Sequence, residues 1–207
     1  VELKDVFVNC EGVMVEDGSF FHLNKEEAKF GYRNSIFKND WKGKAIITRV
    51  TLELTKRNHR IRTDYGAIAS ELEKQGINEP TPKQISDAVV AIRQSKLPDP
   101  NEIGNSGSFF KNPVVSTKKA EELKQRYPNM PSYPAEGGTK LAAGWIIDQC
   151  GWKGYRKKDA GVHKLQALVL VNYGQATGEE IHSLATSIIE DVYKRFGIQL
   201  EPEVNLI

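Results

Sequence analysis

Residues 104–115, which read Gly-Asn-Ser-Gly-Ser-Phe-Phe-Lys-Asn-Pro-Val-Val, constrain the fold of this chain more than any other stretch. Gly104 and Gly107 permit a turn with unusual dihedrals and let a ligand approach the main chain closely. The apolar residues from Phe109 onward suit a buried strand, which predicts a strand over 108–115 with Ser108 at its mouth, while Pro113 indicates an edge position or an irregularity. Composition alone favours a purely structural serine, because most loop serines are turn formers.

Length and net charge limit the classes of protein to which this chain can belong. A chain of 207 residues can form one large or two small domains with real cores. The formal net charge of +2 gives no general signal for nucleic acid or membrane, but it leaves room for a local anion site. No apolar run approaches the ~20 residues that a transmembrane helix needs. We therefore expect a protein of the cytoplasm that binds neither nucleic acid nor membrane.

The cysteines and histidines predict neither a disulfide framework nor a metal centre. Cys10 and Cys150 lie far apart and form no Cys-x-x-Cys pair, which is typical of buried thiols in a reducing compartment. The four histidines show no metal-ligand spacing. The chain begins with valine and enters strand-like sequence at once, so we interpret it as a piece of a longer protein.

The first half of the chain is predicted to be mainly β-structure. Residues 1–15 are β-like, Asp17-Gly18 indicates a hairpin turn, and Asn24 with its partner Glu27 is predicted to begin a short helix. Residues 45–56 alternate apolar and polar side chains, which predicts a half-buried strand. Helices are predicted from about 66 to 75 and from Pro82 to the residues before Pro98.

The second half alternates strands with helices, a pattern typical of α/β layers. Residues 98–100, Pro-Asp-Pro, form a stiff linker and the candidate domain boundary. Thr177 opens a long amphipathic helix that Gly197 ends. The remaining predicted elements are helices over 117–126 and 140–149, an extended piece at 133–134, and strands over 167–171 and 198–207.

Four ordered motifs carry a resemblance to a known family. Residues 104–113 resemble the signature of the UDP-N-acetylenolpyruvoylglucosamine reductases, the MurB flavoenzymes of peptidoglycan synthesis. Three further stretches agree with that family in the same order: Phe-Gly-Tyr-Arg-Asn-Ser at 30–35, Leu-Ala-Ala-Gly-Trp-Ile-Ile-Asp-Gln-Cys at 141–150, and Leu-Glu-Pro-Glu-Val at 200–204. Each motif is weak alone, whereas four in order across nearly the whole chain are specific.

The resemblance implies a mixed fold, α+β or α/β. Residues 1–97 would be the C-terminal part of an FAD-binding domain of the vanillyl-alcohol-oxidase-like type, with a substrate-loop insertion at about 57–80. Residues 98–196 would form a small α/β substrate-binding domain. Residues 197–207 would be a strand that returns to an N-terminal flavin subdomain, which this chain would lack.

The resemblance also assigns the chemistry. Ser108 would donate a proton to a substrate carbon after hydride transfer, since no histidine is arranged to make it a nucleophile. Arg33 would stabilise the substrate carboxylate, because a guanidinium offers a fork of donors that matches it. Glu203, in its protonated form, would add a hydrogen bond to the developing charge.

Substrate binding would fall to residues spread along the chain. A ring such as that of Tyr65 can stack on an apolar face while its hydroxyl reaches a phosphate, as in a lid. For each residue taken singly, a surface or core role is commoner than a binding role. The substrate-binding set implied by the resemblance is Tyr32, Tyr65, Lys96, Asn112, Tyr133, Lys153 and Gln166.

The implied substrate is UDP-N-acetylglucosamine enolpyruvate, reduced to UDP-N-acetylmuramate by a monomeric enzyme that serves cell-wall synthesis, cell shape and division. NADPH would reduce FAD, and FAD would supply the hydride. The chain lacks the family's glycine-rich phosphate loop, so we expect it alone to bind FAD weakly or not at all and not to turn over. Asn34 stands where the family usually has Asp, and Asn205 where some members have Arg.

Two other functions remain open at the level of sequence. A non-catalytic nucleotide-sugar-binding module would bind ligand whether or not Ser108 is present. An RNA-binding domain is suggested by the basic connector at 56–64, but the aromatic platform that such domains use is missing.

Overall fold

The computed structural model describes residues 2–64 and 67–206. The chain divides into two compact units, Val1–Ile61 and Arg62–Ile207. Helices and strands are mixed, and every strand pairing among the described residues is antiparallel. The mixed class is therefore confirmed, whereas the α/β layering that would bring parallel strands is wrong.

The first unit is built on a three-stranded sheet in the order β2-β1-β3. Its elements are α1 (Leu3–Val6), β1 (Phe7–Met14), β2 (Phe20–Asn24), a 3-10 turn (Ile36–Lys38) and β3 (Ala45–Leu52). Its buried cluster contains Phe7, Cys10, Leu23, Ala28 and Ile36, with four aromatic side chains packed against it: Phe21, Phe30, Phe37 and Trp41.

In this unit the sequence predicts the turns better than it predicts which side chains are buried. The hairpin at Asp17-Gly18 is confirmed, because β1 and β2 pair antiparallel and Gly18 has a φ of 70°. Asn24 and Glu27 do exchange hydrogen bonds, at 2.8 and 3.0 Å. These bonds close a turn and do not begin a helix. The predicted hydrogen bonds therefore form, but the predicted helix is wrong.

The half-buried strand predicted over 45–56 is shorter and more exposed than expected. β3 ends at Leu52, and Val50 and Leu52 are 46% and 42% exposed, with Leu54 beyond the strand at 68%. The alternation predicts the strand correctly. It does not predict burial, because burial also requires a second layer to cover the apolar face.

The described part of the second unit contains five helices. Three of them start at a side-chain cap: Thr81 with Gln84 before α3, Ser116 before α4, and Thr177 with Glu180 before α6. Each cap satisfies a main-chain N–H that the helix leaves unpaired. The helices are α2 (Ile68–Lys74), α3 (Pro82–Lys96), α4 (Thr117–Arg126), α5 (Ala143–Gln149) and α6 (Gly178–Phe196).

Two small sheets complete this unit, in the orders β4-β10-β9-β8 and β5-β7-β6. Helix α6 packs against β9 and β10. β10 is buried throughout its apolar part, with Val169 and Val171 fully buried and Leu170 2% exposed. The strands are β4 (Gly104–Ser108), β5 (Val114–Val115), β6 (Ser132–Ala135), β7 (Gly138–Leu141), β8 (Arg156–Lys157), β9 (Ala160–Val162) and β10 (Val169–Asn172).

Three further predicted elements, all in the second unit, differ from the structure. The strand over 108–115 is in fact β4, which ends at Ser108, then an irregular buried segment, then β5. The helix over 140–149 begins only at Ala143, because the preceding residues pair in β7. The strand predicted over 198–207 is not regular in the described residues 198–206: Pro202 has no N–H to donate, and these residues form an isolated bridge between Pro202 and Phe110.

Candidate active site

The main chain of Phe109 links the Ser108 segment to Glu203. Ser108 is the exposed last residue of the edge strand β4 and is opposite Val169 of β10. The N–H of Phe109 donates to the carbonyl of Leu168 at 2.7 Å, and the N–H of Glu203 donates to the carbonyl of Phe109 at 2.7 Å. The segment after Ser108 is thus held on both sides.

The glycines that introduce Ser108 differ in their roles. Gly107 has a φ of 73°, a conformation that side chains resist, so glycine is needed there. Gly104 pairs with Asn172 in the regular part of β4. The Asn105 side chain accepts a hydrogen bond from the N–H of Gly107 at 3.0 Å, which fixes the chain just before Ser108. The predicted turn is therefore an irregular edge strand.

Two of the predicted substrate-binding residues make structural contacts near this segment. Asn112 accepts a hydrogen bond from the N–H of Ala143 at 2.9 Å and so anchors the start of α5. Gln166 accepts one from the N–H of Leu168 at 3.3 Å, beside Gly144, where an added Cβ would lie 3.0 Å from the Gln166 Oε1. The amide nitrogens of both side chains are not used in these bonds.

The other second-unit candidates are more exposed. Lys96 is the last residue of α3, Tyr133 on β6 is 55% exposed, and Lys153 forms an ion pair with Asp148 at 3.0 Å. The described contacts join none of these three side chains directly to Ser108. Tyr65 lies outside the described residues.

Arg33 and Tyr32 belong to the first unit, where they form the tip of a tight turn. Gly31 and Asn34 exchange main-chain hydrogen bonds at 3.0 and 3.1 Å, and Arg33 has a φ of 53°. A non-glycine residue in this left-handed region carries a steric cost, and such residues cluster at functional sites. Asn34 accepts hydrogen bonds from the Ser35 N–H and the Asn39 side chain, both at 3.0 Å.

An open cavity of about 550 Å³ adjoins the segment after Ser108. Neither Ser108 nor Glu203 lines it. The cavity therefore neighbours the candidate active site without containing the proposed proton donor. Its lining includes Ser106, Phe109, Thr177, His182, Val204 and Asn205.

The remaining reactive groups do not offer a second site. Burial raises the pKa of the Cys10 and Cys150 thiols, so neither thiol is activated as a nucleophile. Burial lowers the pKa of His163, whose Nδ1 has no hydrogen-bond partner within the described chain. No cluster of three metal-binding side chains occurs in residues 2–64 and 67–206. No helix in these ranges is both long and apolar enough to cross a bilayer.

Sequence reasoning missed the contact between Lys111 and Glu201. Their side chains form an ion pair at 3.1 Å, and the Lys111 N–H donates to the Glu201 carbonyl at 2.9 Å. Ninety positions separate the two residues, so neither periodicity nor spacing could pair them. The only available signal was that each lies inside one of the family motifs.

Comparison with known proteins identifies the class of this protein. Residues 99–207 match the family described as "UDP-N-acetylenolpyruvoylglucosamine reductase, C-terminal domain". This match covers more than half of the chain, so the chain belongs to that family. The resemblance read from the four motifs is confirmed.

Curated relatives carry the name of the whole reductase. The chain is 53% identical over 207 residues to UDP-N-acetylenolpyruvoylglucosamine reductase of Flavobacterium johnsoniae, covering 100% of this chain and 61% of the relative. It is 50% identical over 207 residues to that of Pseudomonas putida, covering 100% and 60%. The chain thus spans about 60% of the length of the curated relatives that it matches.

A solved structure supports the fold alone. The UDP-N-acetylenolpyruvylglucosamine reductase (MurB) of Thermus caldophilus superposes with a TM-score of 0.55 at 23% identity. The match covers 98% of this chain and 53% of that one.

Proposed function

We propose that this chain is the substrate-binding and proton-donating part of a UDP-N-acetylenolpyruvoylglucosamine reductase. The observation that carries the proposal is about 50% identity to proteins of that name along all 207 residues. The proposal includes action in peptidoglycan synthesis, in the cytoplasm and as a monomer. Its substrate would be UDP-N-acetylglucosamine enolpyruvate and its product UDP-N-acetylmuramate.

The proposed chemistry is reduction of a carbon–carbon double bond that bears a carboxylate. Hydride adds to the terminal carbon of the enolpyruvyl group, and negative charge develops on the adjacent carbon and the carboxylate. Arg33 binds that carboxylate, and Ser108 Oγ gives its proton to the adjacent carbon to complete the saturated ether. Glu203, in its protonated form, adds a hydrogen bond to the developing charge.

Ser108 and Glu203 are supported as partners by the hydrogen bond that ties Glu203 to Phe109, one residue from Ser108. An exposed position at the end of an edge strand leaves the Ser108 hydroxyl accessible to a ligand. The left-handed conformation of Arg33 supports a functional role for its guanidinium, because residues in this region cluster at functional sites.

FAD, reduced in turn by NADPH, would supply the hydride. We assign no flavin diphosphate site to the described residues: α3, α4 and α6 each begin at a side-chain cap, and Asn112 accepts a hydrogen bond from the Ala143 N–H at the start of α5. No step proposed for this chain's residues therefore depends on where the flavin lies.

We also propose the domain division that the resemblance implies. Residues 1–97 would belong with a vanillyl-alcohol-oxidase-like FAD-binding domain, with the tyrosine-bearing insertion at about 57–80. Residues 98–196 would bind the substrate, and 197–207 would return toward the flavin subdomain. The start of the family match at residue 99 supports the boundary after residue 97.

The binding test is calorimetric titration of the chain with UDP-N-acetylglucosamine enolpyruvate. The substrate would be held by Tyr32, Tyr65, Lys96, Asn112, Tyr133, Lys153 and Gln166. Saturable heat is expected, and Lys96→Ala should weaken binding by removing a positive charge near the diphosphate. Lys83→Ala, at an exposed lysine on the same helix, is the matched control. No heat from a folded chain would contradict a preformed substrate site.

The catalytic test uses the protein at its natural length. Ser108→Ala should lower turnover by about 10²–10⁴-fold, the usual contribution of a positioned proton donor, while substrate binding stays intact. Ser106→Ala, two residues earlier on the same strand, controls for disturbance of β4. Binding without turnover in the unsubstituted protein would favour the non-catalytic nucleotide-sugar-binding module instead.

A further inference from the structure

We infer that Lys111 and Glu201 are positioning residues that hold Glu203 beside the Ser108 segment. The inference rests on the proposed function, because it assigns the pair a task in that reaction. We do not propose that either side chain contacts the substrate. Their role would be to fix a main-chain pairing on which the geometry of the site depends.

The pairing is short and depends on few bonds. Phe110 and Pro202 form an isolated antiparallel bridge, flanked by the Lys111-to-Glu201 bond at 2.9 Å and the Glu203-to-Phe109 bond at 2.7 Å. No regular strand runs through residues 201–206. Two main-chain bonds pair this segment with residues 109–111, and Val204 also packs against the buried core. Short ladders of this kind open readily.

The ion pair strengthens the pairing at one end. Lys111 Nζ and Glu201 Oε2 are 3.1 Å apart, directly across the ladder from each other. The Lys111 side chain is 31% exposed and that of Glu201 69%, so water screens the pair only in part. A cross-strand pair of opposite charge resists the slip or opening that would carry Glu203 away from Phe109.

Lys111 and Glu201 are not among the residues proposed to bind the substrate or to act on it. Ser108 lies three residues before Lys111, and Glu203 lies two residues after Glu201. A small displacement of such a segment is enough to lower a rate strongly, because proton donation and charge stabilisation depend on distance. The predicted signature is a change in kcat rather than in substrate affinity.

The variants Lys111→Met and Glu201→Gln each break the ion pair and leave both main-chain bonds possible. The double variant Lys111→Glu with Glu201→Lys restores a pair of opposite polarity. Lys83→Met is the matched control, because it breaks another lysine–carboxylate pair, with Asp87 at 2.6 Å on α3. All four proteins are compared with the unsubstituted one by two measurements.

The first measurement is hydrogen exchange of the Glu203 amide by NMR. Each single variant should speed exchange by up to about fivefold, the scale of a partly exposed ion pair. The charge-swapped protein should exchange more slowly than either single variant, and Lys83→Met should match the unsubstituted protein. Unchanged exchange in both single variants would overturn the inference.

The second measurement is kcat and KM for the enolpyruvyl substrate in the protein at its natural length. Each single variant should lower kcat by about the same factor with KM unchanged, and the swap should restore it. Faster amide exchange with unchanged kcat would make the pair merely structural and overturn its positioning role. No turnover in the unsubstituted protein would overturn the proposed function and the catalytic part of this inference, while the exchange rates would still decide whether the pair holds Glu203.

Discussion

Strands β3 and β10 have similar sequences and opposite environments. β3 carries Ile47, Val50 and Leu52, which are 44%, 46% and 42% exposed. β10 carries Val169, Leu170 and Val171, none more than 2% exposed. Both are rich in β-branched and aliphatic residues, so strand propensity explains why each forms but not why only one is buried.

The difference arises from what covers each strand. β10 lies inside a four-stranded sheet and α6 packs over it, whereas β3 is an edge strand and, in the described part of its unit, contributes nothing to the buried cluster. A hydrophobic side chain stabilises a fold only when its surface is removed from water. The two strands should therefore respond very differently to the same substitution.

The largest expected effect comes from truncating a leucine on each strand. Leu170→Ala should lower the free energy of unfolding by about 2–5 kcal/mol, because it leaves a cavity in a packed core. Leu52→Ala, the matched change on β3, should cost less than about 1 kcal/mol. Urea denaturation of both variants tests the contrast. Equal losses would mean that β3 is buried in solution.

A smaller effect is expected at two strained turns, one in each unit. Arg33 and Lys158 have φ values of 53° and 54°. At each site the Gly variant should be more stable than the Ala variant by up to about 1 kcal/mol, because glycine tolerates this conformation.

Substrate affinity should then separate the two turns. Replacing Arg33 should weaken binding of the enolpyruvyl substrate, because the carboxylate loses its guanidinium, whereas replacing Lys158 should not. Thermal unfolding and calorimetry on the four variants give both quantities. Equal loss of substrate affinity on replacing Arg33 and on replacing Lys158 would contradict a binding role for Arg33.

The smallest expected effect is the pH dependence of stability that His163 causes in the second unit. Burial, and then the charge of Lys164, lower the pKa of His163 in the folded protein. The unfolded chain therefore binds a proton first as the pH falls, so this group reduces stability below about pH 6.5 until its folded pKa is passed.

Denaturation midpoints at pH 7.5 and 5.5 test the His163 effect. His163→Gln should reduce the acid-induced part of the loss, and His22→Gln on the exposed β2 strand controls for the substitution itself. An unchanged difference between the two pH values in His163→Gln would show that other groups cause the acid sensitivity.

Local signals in the sequence predicted much of the fold. The capping boxes at Thr81 and Thr177 and the glycine at 197 marked helix ends within a residue of their observed positions. These signals succeed because a cap acts on neighbouring N–H groups and needs no distant partner. The prediction of a strand over 108–115 was wrong for the opposite reason, since residues 109–113 form hydrogen bonds with distant segments, among them Leu168, Leu141, Ala143 and residues 201–203.

The candidate site was predictable only through the resemblance. No local pattern joins Ser108 to Glu203, because their association depends on a pairing between distant segments. Asn112 shows the same limit: its contact with the Ala143 N–H is a fact of tertiary structure. The roles of the site residues stay predictions that the proposed experiments test.

Pro202 affects which registers are possible between residues 109–111 and residues 201–203. It faces Phe110 at the one kind of ladder position where no N–H is required. If the last segment slid so that Pro202 lay opposite Phe109, the proline would stand where an N–H donor is needed, and the bond to the Phe109 carbonyl would be lost. In the opposite slip Pro202 would lie opposite Lys111, where its carbonyl alone is needed. Pro202 thus disfavours one of the two neighbouring registers of the alignment that brings Glu203 to Phe109.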